Sequence, residues 1–162
     1  MNVLWAPWRL EYIKSDKKKN GCILCNVQES NENIIELGEM AFVILNKYPY
    51  NSGHLMICPK RHVSSLEELQ EKEMLEIFKY MKKSMKVLKN SIKPMGFNVG
   101  LNQGRAAGAG IEEHLHFHIV PRWTGDTNFM PIIGETKVLS QYLEKAQYEL
   151  QTAFHKETHR KI

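Results

Sequence analysis

Three histidines, His114, His116 and His118, alternate with apolar residues in one short segment of the chain. Side chains along a strand point to opposite faces with a period of two, so this spacing predicts a strand over residues 114–120 that presents three imidazoles on one surface. An imidazole can hold a metal ion, move a proton or attack an electrophile. We therefore expect this strand to carry the chemistry of the protein.

A loop of small residues stands just before that segment. Residues 103–110 read Gln-Gly-Arg-Ala-Ala-Gly-Ala-Gly, and glycine and alanine let main-chain N–H groups come close to a ligand. A concave set of such donors suits phosphate oxygens, and Arg105 supplies a positive charge nearby. The alternative interpretation is a flexible hairpin loop, because glycine-rich loops are common. Beside three imidazoles, the phosphate-binding interpretation is favoured.

Two mechanisms fit three imidazoles beside a phosphate-binding loop. Alternate histidines on one strand can converge on a single zinc ion. A neutral imidazole can instead attack phosphorus and form a covalent phosphoramidate, which splits one difficult displacement into two easier ones. The periodicity of the segment does not choose between them.

Cys22 and Cys25 form a CxxC pair, a spacing that serves zinc binding, redox exchange or neither. The strand and helix pattern of a thioredoxin does not surround this pair, so redox exchange has little support. The chain has only three cysteines, which do not make an extracellular disulfide framework. A reducing compartment, the cytoplasm, is therefore predicted.

Length and composition indicate one globular domain over residues 1–162, since 43% of the residues are hydrophobic. No stretch approaches the roughly 20 apolar residues that span a bilayer, and the amino terminus lacks an apolar signal core, so no membrane partner is expected. The net charge of +4 is modest, and much of the basic excess lies in a lysine-rich run at residues 14–19. That run is typical of a solvated loop, so we expect no nucleic-acid partner, although anionic ligands are favoured.

Short apolar runs bounded by turn residues predict four more strands, at residues 33–37, 41–45, 54–58 and 97–102. Ser65 and Glu68 have the spacing of a capping box. The apolar residues that follow them recur with a helical period, which predicts a helix that buries Met74, Phe78, Met81, Met85, Leu88 and Ile92.

A last helix is predicted over residues 137–156, and it presents one apolar side made of Leu139, Leu143, Ala146, Leu150 and Phe154. An aromatic amino-terminal arm, residues 1–20, is expected to pack against the body. Sheet elements with short connections and two long helices indicate the α+β class, with an antiparallel sheet of about five strands.

Segment 114–120 resembles the His-φ-His-φ-His-φ-φ signature (φ, hydrophobic) of the histidine triad superfamily of nucleotide hydrolases and transferases. The resemblance extends upstream, where Asn46 and His54 flank a Tyr-Pro-Tyr sequence, and Gln103 stands eleven residues before the first histidine. Most of residues 22–125 is covered. Residues 4–13, 104–110 and 123–129 further resemble the bacterial diadenosine tetraphosphate phosphorylase and hydrolase branch, which is related to the fragile histidine triad proteins.

The resemblance implies an enzyme that cleaves dinucleoside polyphosphates, with diadenosine tetraphosphate as the expected substrate. His116 would attack the α-phosphorus and become nucleotidylated, His118 would hydrogen-bond the phosphate or the leaving group, and His54 would orient the site. The remaining nucleotide contacts that the resemblance implies are Asn46 at the ribose and Asn102, Gln103, Ala109 and Gly110 at the phosphates. Whether water or phosphate resolves the intermediate is left open.

The resemblance also implies a homodimer with one sheet continued across both subunits, and a structural zinc without an organic cofactor. The zinc ligands would be Cys22, Cys25, His62 and His114. Three alternatives remain: a nucleoside phosphoramidase of the same superfamily, a module that binds nucleotides without turning them over, and a metal-dependent hydrolase that uses the triad as ligands.

Overall fold

The computed structural model describes residues 21–126 and 143–159. Within them the strands are β1 (Ile34–Leu37), β2 (Ala41–Leu45), β3 (Leu55–Pro59), β4 (Gly96–Leu101) and β5 (Phe117–Arg122). The helices are α1 (Ile23–Ser30), α2 (Glu71–Ser91) and α3 (Leu143–Thr158), with short 3-10 turns at Leu66–Glu68 and Arg105–Ala107. The predicted arm, residues 1–20, and the predicted start of the last helix at residue 137 lie outside the described residues.

The five strands form one sheet in the order β1-β2-β3-β5-β4, with every neighbouring pair antiparallel. The β1–β2 hairpin turns at Gly38, where a Cβ atom would collide with the Glu76 carboxylate and the Tyr80 hydroxyl of α2. The α+β class and the five antiparallel strands predicted from the sequence are therefore confirmed.

Alternation along β2 and β3 gives the sheet two buried faces. We call the face that carries Val43 and Ile57 the core face, because α2 and α3 cover it and their apolar side chains join it in one cluster. We call the opposite face, with Ile44 and Met56, the site face; a second apolar cluster there includes Leu24 of α1. Both strands are buried along their whole length because both faces are covered.

Helix α2 begins later than the sequence predicted. The hydroxyl of Ser65 donates to the carboxylate of Glu68 at 2.9 Å, but Ser65 caps only a 3-10 turn and makes no side-chain cap bond. The capping box is instead Gln70 with Glu73, whose Oε2 accepts the Gln70 N–H at 2.8 Å. The Glu68 carboxylate accepts hydrogen bonds from the hydroxyls of Ser64 and Ser65, at 3.2 and 2.9 Å, beside the 3-10 turn and not at the start of α2.

The predicted apolar stripe of α2 is also partly wrong. Met81 and Leu88 are buried as expected, but Phe78 is 64% exposed and Ile77 takes its place against the core. Phe78 lies three residues before Met81 and Ile77 lies four residues before it, so both fit the helical period. Only the position of the sheet decides which of the two is buried. On α3 the predicted apolar face is confirmed, since Ala146, Leu150 and Phe154 are buried.

The histidine segment is not a strand from end to end. Strand β5 begins at Phe117, so His114 and His116 precede it in an irregular stretch, and the prediction of a strand over the whole triad is wrong. In the described part of the chain, no helix has the length and apolar character needed to cross a membrane.

Candidate nucleotide site and metal centre

A cavity of about 180 Å³ opens on the site face, beside the histidine segment. His116 and His118 line one part of it, and the small-residue loop contributes Gly108 and Gly110. The rest of the cavity is mainly apolar, which suits a flat aromatic group.

The apolar wall comes from three places in the chain that the sequence analysis did not connect. Its residues are Ile23, Leu24 and Val27 of α1, Ile44 and Met56 of the sheet, and Ile111 after the small-residue loop. One signal was present in the sequence: β2 and β3 are apolar at successive positions, as strands buried on both faces are. The second face was therefore bound to be covered, but the sequence does not say by what.

The ring of His116 is fixed by one hydrogen bond. Its Nδ1 lies 2.8 Å from the carbonyl oxygen of His114, and because a carbonyl only accepts, Nδ1 must carry the proton. The lone pair then resides on Nε2. The side chain is 3% exposed, and burial lowers the pKa of His116, so the neutral imidazole is favoured. A neutral ring with an available ring nitrogen is the form that can act as a nucleophile.

A second chain of hydrogen bonds sets the tautomers of His54 and His118. The Tyr50 N–H donates to Nδ1 of His54 at 3.0 Å, so the proton of the neutral His54 ring is on Nε2. That Nε2 lies 3.0 Å from Nδ1 of His118 and donates to it, which leaves the His118 proton on Nε2. The Tyr50 ring stacks on His54 with centroids 5.0 Å apart. His118 is thereby oriented as a hydrogen-bond donor 4.9 Å, between ring centroids, from His116.

The first histidine of the triad belongs to a different group. Nδ1 of His114 lies 3.3 Å from the Cys22 sulfur and 3.5 Å from the Cys25 sulfur, and Cys25 lies 3.4 Å from Nδ1 of His62. The four potential ligand atoms are all within 4.8 Å of one another. His114 donates its Nε2–H to the carbonyl of Pro59 at 2.8 Å, so the Nδ1 lone pair faces the two sulfurs.

This set of donors fits a tetrahedral cation. Zn–S bonds of about 2.3 Å and Zn–N bonds of about 2.05 Å place sulfur and nitrogen about 3.6 Å apart in a tetrahedron. The sulfur–nitrogen distances of 3.3–3.5 Å are close to that value. Burial lowers the pKa of His114, which favours the neutral ring that a metal requires. With two sulfurs and two nitrogens as ligands, a bound cation would have no position left for substrate.

The neighbouring residue Arg61 ties the His62 segment to α2. Its guanidinium makes a two-pronged contact with the Glu73 carboxylate, at 3.0 and 2.8 Å, and donates to the Glu68 carbonyl at 2.6 Å. The hydrogen bond from Arg61 holds the pKa of Glu73 below its usual range. Glu73, which completes the capping box of α2, therefore also holds the segment that carries the potential metal ligand His62.

Comparison with known proteins agrees with this geometry. Residues 27–125 match the HIT domain family. The chain belongs to the HIT, or histidine triad, family. It is 40% identical over 160 residues to the AP-4-A phosphorylase of Mycobacterium tuberculosis, with 92% of this chain and 82% of that protein covered. The resemblance stated from the sequence is thereby confirmed.

Two solved structures show the same HIT fold. A hypothetical histidine triad nucleotide-binding protein from Sulfolobus tokodaii has a TM-score of 0.70 at 28% identity, covering 83% of this chain and 93% of that one. A zinc-bound histidine triad family protein from Mycobacterium smegmatis has a TM-score of 0.69 at 22% identity, covering 84% and 94%.

In this HIT protein, the residues predicted to contact the nucleotide divide into two groups. Asn46, Asn102 and Gly110 line the cavity. Gln103 does not: its Oε1 accepts the Leu66 N–H at 2.9 Å, and its Nε2 donates to a glutamate carboxylate at 3.2 Å. Ala109 is likewise not part of the lining, and its N–H donates to the carbonyl of Gly104 at 3.3 Å. The roles of all these residues stay predictions.

Proposed function

We propose that the chain cleaves dinucleoside polyphosphates, with diadenosine tetraphosphate as substrate, through a nucleotidyl-His116 intermediate. One observation carries this proposal: the Nδ1–H of His116 is bound to a carbonyl at 2.8 Å, which leaves Nε2 as the nucleophilic nitrogen of a buried ring at the cavity. The likeness to an AP-4-A phosphorylase supports the choice of substrate.

The reaction proceeds in two displacements. The adenine lies against the apolar wall and Asn46 binds the ribose, which brings the α-phosphorus to His116. Nε2 of His116 forms a bond to that phosphorus as the bond to the bridging oxygen breaks, and the electron pair leaves with the departing nucleotide. The Nε2–H of His118 and main-chain N–H groups of the loop at Gly110 stabilise the growing negative charge.

In the second displacement an acceptor oxygen attacks the same phosphorus. The phosphorus–nitrogen bond breaks, and its electron pair returns to Nε2 of His116. Water as acceptor yields AMP and ATP and releases a proton, whereas inorganic phosphate yields ADP and ATP. The relative's name supports phosphate as the acceptor.

The test is incubation of the protein with diadenosine tetraphosphate, with and without phosphate, followed by separation of the products. Acid-labile label from α-labelled substrate should map to His116, and His116→Ala should lose at least about a thousandfold in kcat/KM. His155→Ala, on the exposed face of α3, is the matched control and should cleave normally.

Three outcomes contradict the proposal. Turnover of a nucleoside phosphoramidate with no cleavage of the tetraphosphate supports a phosphoramidase instead. Binding without turnover supports a non-catalytic nucleotide-binding module. Normal cleavage by the His116→Ala variant would show that His116 is not the nucleophile.

The same proposal includes a structural zinc ion held by Cys22, Cys25, His62 and His114. The sulfur–nitrogen distances and the closed set of four ligands support it, as does the zinc-bound relative. Two thiolates must stay reduced to bind zinc, so we place the protein in the cytoplasm. Metal analysis should give one zinc per chain, and Cys25→Ser should lower that content.

We also propose that two chains form a homodimer through β4, the strand at one edge of the sheet. An edge strand offers unpaired backbone groups to a second chain, and Val99 on β4 is 46% exposed. Light scattering should give the mass of a dimer, and Val99→Lys should shift it toward the monomer. A monomeric wild-type protein would contradict this part of the proposal.

A further inference from the structure

Helix α1 has two sides with different partners. Cys22 at its N-cap and Cys25 in its first turn face the metal centre, since three residues correspond to nearly one helical turn. Ile23, Leu24 and Val27 lie on the other side and line the cavity. One short helix thus joins the potential metal ligands to the wall that would hold a nucleotide base.

Few residues of this helix are buried. It has eight residues, its N-cap makes no side-chain hydrogen bond, and Leu24 is its one buried residue. A helix of this length is unstable on its own in water. Among the described residues it is also held by Gln28, whose Nε2 donates to the Lys60 carbonyl at 3.2 Å. Ligation of two cysteines would therefore be a main attachment of α1 to the sheet.

The metal centre is also attached to the ring of His116. His114 offers its Nδ1 to the sulfurs, and its carbonyl oxygen accepts the Nδ1–H of His116 at 2.8 Å. The next residue, Leu115, donates its N–H to the Val63 carbonyl at 2.7 Å, which places the segments of His62 and His114 side by side. A cation that joins these two histidines would fix the carbonyl that sets the His116 tautomer.

We propose that the metal centre sets nucleotide affinity and the orientation of His116, in addition to stabilising the fold. The cation itself takes no part in the chemistry. It holds α1 and the His114 carbonyl in a common position, so that the apolar wall and the nucleophile face the same ligand. This inference rests on the proposed function only for the identity of the ligand, a nucleoside monophosphate.

The experiment measures AMP binding by calorimetry to metal-loaded protein and to chelator-treated protein, at a temperature where circular dichroism shows that both are folded. Metal removal should weaken AMP binding at least tenfold. The low-field imidazole N–H proton resonance of His116, assigned by its absence in His116→Ala, should be present in loaded protein and broadened after removal. A general loss of stability would change neither the AMP affinity nor the His116 resonance. Phe154→Leu, which destabilises the core face, is therefore the control and should keep its AMP affinity within twofold.

A second measurement does not require a folded metal-free protein. Cobalt(II) in place of zinc gives visible absorption bands that report the geometry of its ligands, and AMP should shift them because α1 carries both cysteines and the apolar wall. By linkage, AMP should also raise the affinity for the cation by the same factor as the cation raises that for AMP.

The two proposals fail differently. An AMP affinity that does not depend on the metal, or cobalt bands that AMP leaves unchanged while it binds, would overturn this inference and leave the proposed function standing. Metal-loaded protein that does not bind AMP at all would overturn the proposed function.

Discussion

The two faces of the sheet are built on different principles. On the core face, two long helices bury a large cluster of apolar side chains that fit by shape. On the site face, the apolar cluster is small, the helix of the described part is eight residues long, and a cavity remains. Because apolar burial is the main source of stability, we assign most of the stability to the core face and the specificity of the site to the other.

The buried histidines follow the same division. His54 and His114 are fully buried, His116 is 3% exposed, and each of these rings has a hydrogen-bond partner on or beside the site face. A buried polar group without a partner is costly, so these bonds hold each ring in one orientation and one tautomer. Helix α2 covers the core face and carries Ser84. Among the described residues, its hydroxyl is the one buried side-chain nitrogen or oxygen atom without a hydrogen-bond partner. Hydrogen-bond direction therefore decides the arrangement of side chains on the site face, and the fit of apolar volumes decides it on the core face.

The largest effect should follow from a cavity in the core face. Phe154→Ala removes a fully buried ring from α3 and should lower the free energy of unfolding by about 3–5 kcal/mol. Urea unfolding measures this loss. The kcat/KM per folded molecule should stay within twofold of the wild-type value. A large fall in kcat/KM would contradict the assignment of stability to the core face and of specificity to the site face.

The next effect tests the contact between α2 and the segment of His62. Glu73→Gln weakens the two-pronged contact with Arg61 and should lower Tm by about 2–4 °C at pH 7. The folded-state pKa of Glu73 is lowered, so its contribution is complete above the ordinary glutamate pKa of about 4.5 and is lost as the pH falls through the folded-state value. The Tm difference between wild type and variant should therefore shrink in acid. A difference that is constant with pH would exclude the charge as its cause.

A smaller effect should come from the ring of Tyr50, which stacks on His54. Tyr50→Leu keeps the main-chain N–H but removes the stacking at 5.0 Å, and kcat should fall by roughly three- to tenfold, since aromatic pairs contribute about 0.5–1.5 kcal/mol. Tyr50→Phe keeps the ring and should retain full kcat. Equal losses in the two variants would show that the hydroxyl, and not the stacking, is responsible.

The smallest effect is expected at the solvent-exposed side of α3. Lys145 and Glu149 approach only to 4.0 Å and both are exposed, so Lys145→Ala should change Tm by less than about 1 °C. Thermal unfolding at low and high salt measures it. A larger change would mean that the stability of the core face also depends on surface charge.

Much of the fold was predictable because its signals are local. Short apolar runs located four strands, the alternation of the histidine segment located the fifth although β5 begins three residues later than predicted, and the period of α3 identified the buried residues Leu150 and Phe154. The start of α2 was not predictable in this way. Both Ser65 with Glu68 and Gln70 with Glu73 have capping spacing. Ser65 begins a 3-10 turn, and the second pair forms the box, where Arg61 also binds the Glu73 carboxylate.

The sequence by itself determined the family and the chemical groups of the site, because the triad, the CxxC pair and the small-residue loop are each short and contiguous. The resemblance also implied that His114 joins the two cysteines, and the tertiary structure supplied the geometry that brings these side chains together. His114 joins the two cysteines while His116 and His118 line the cavity, since β5 begins at Phe117 and regular alternation does not hold before it. The apolar wall likewise depends on residues far apart in the chain, such as Leu24, Met56 and Ile111, which only packing on the site face brings together.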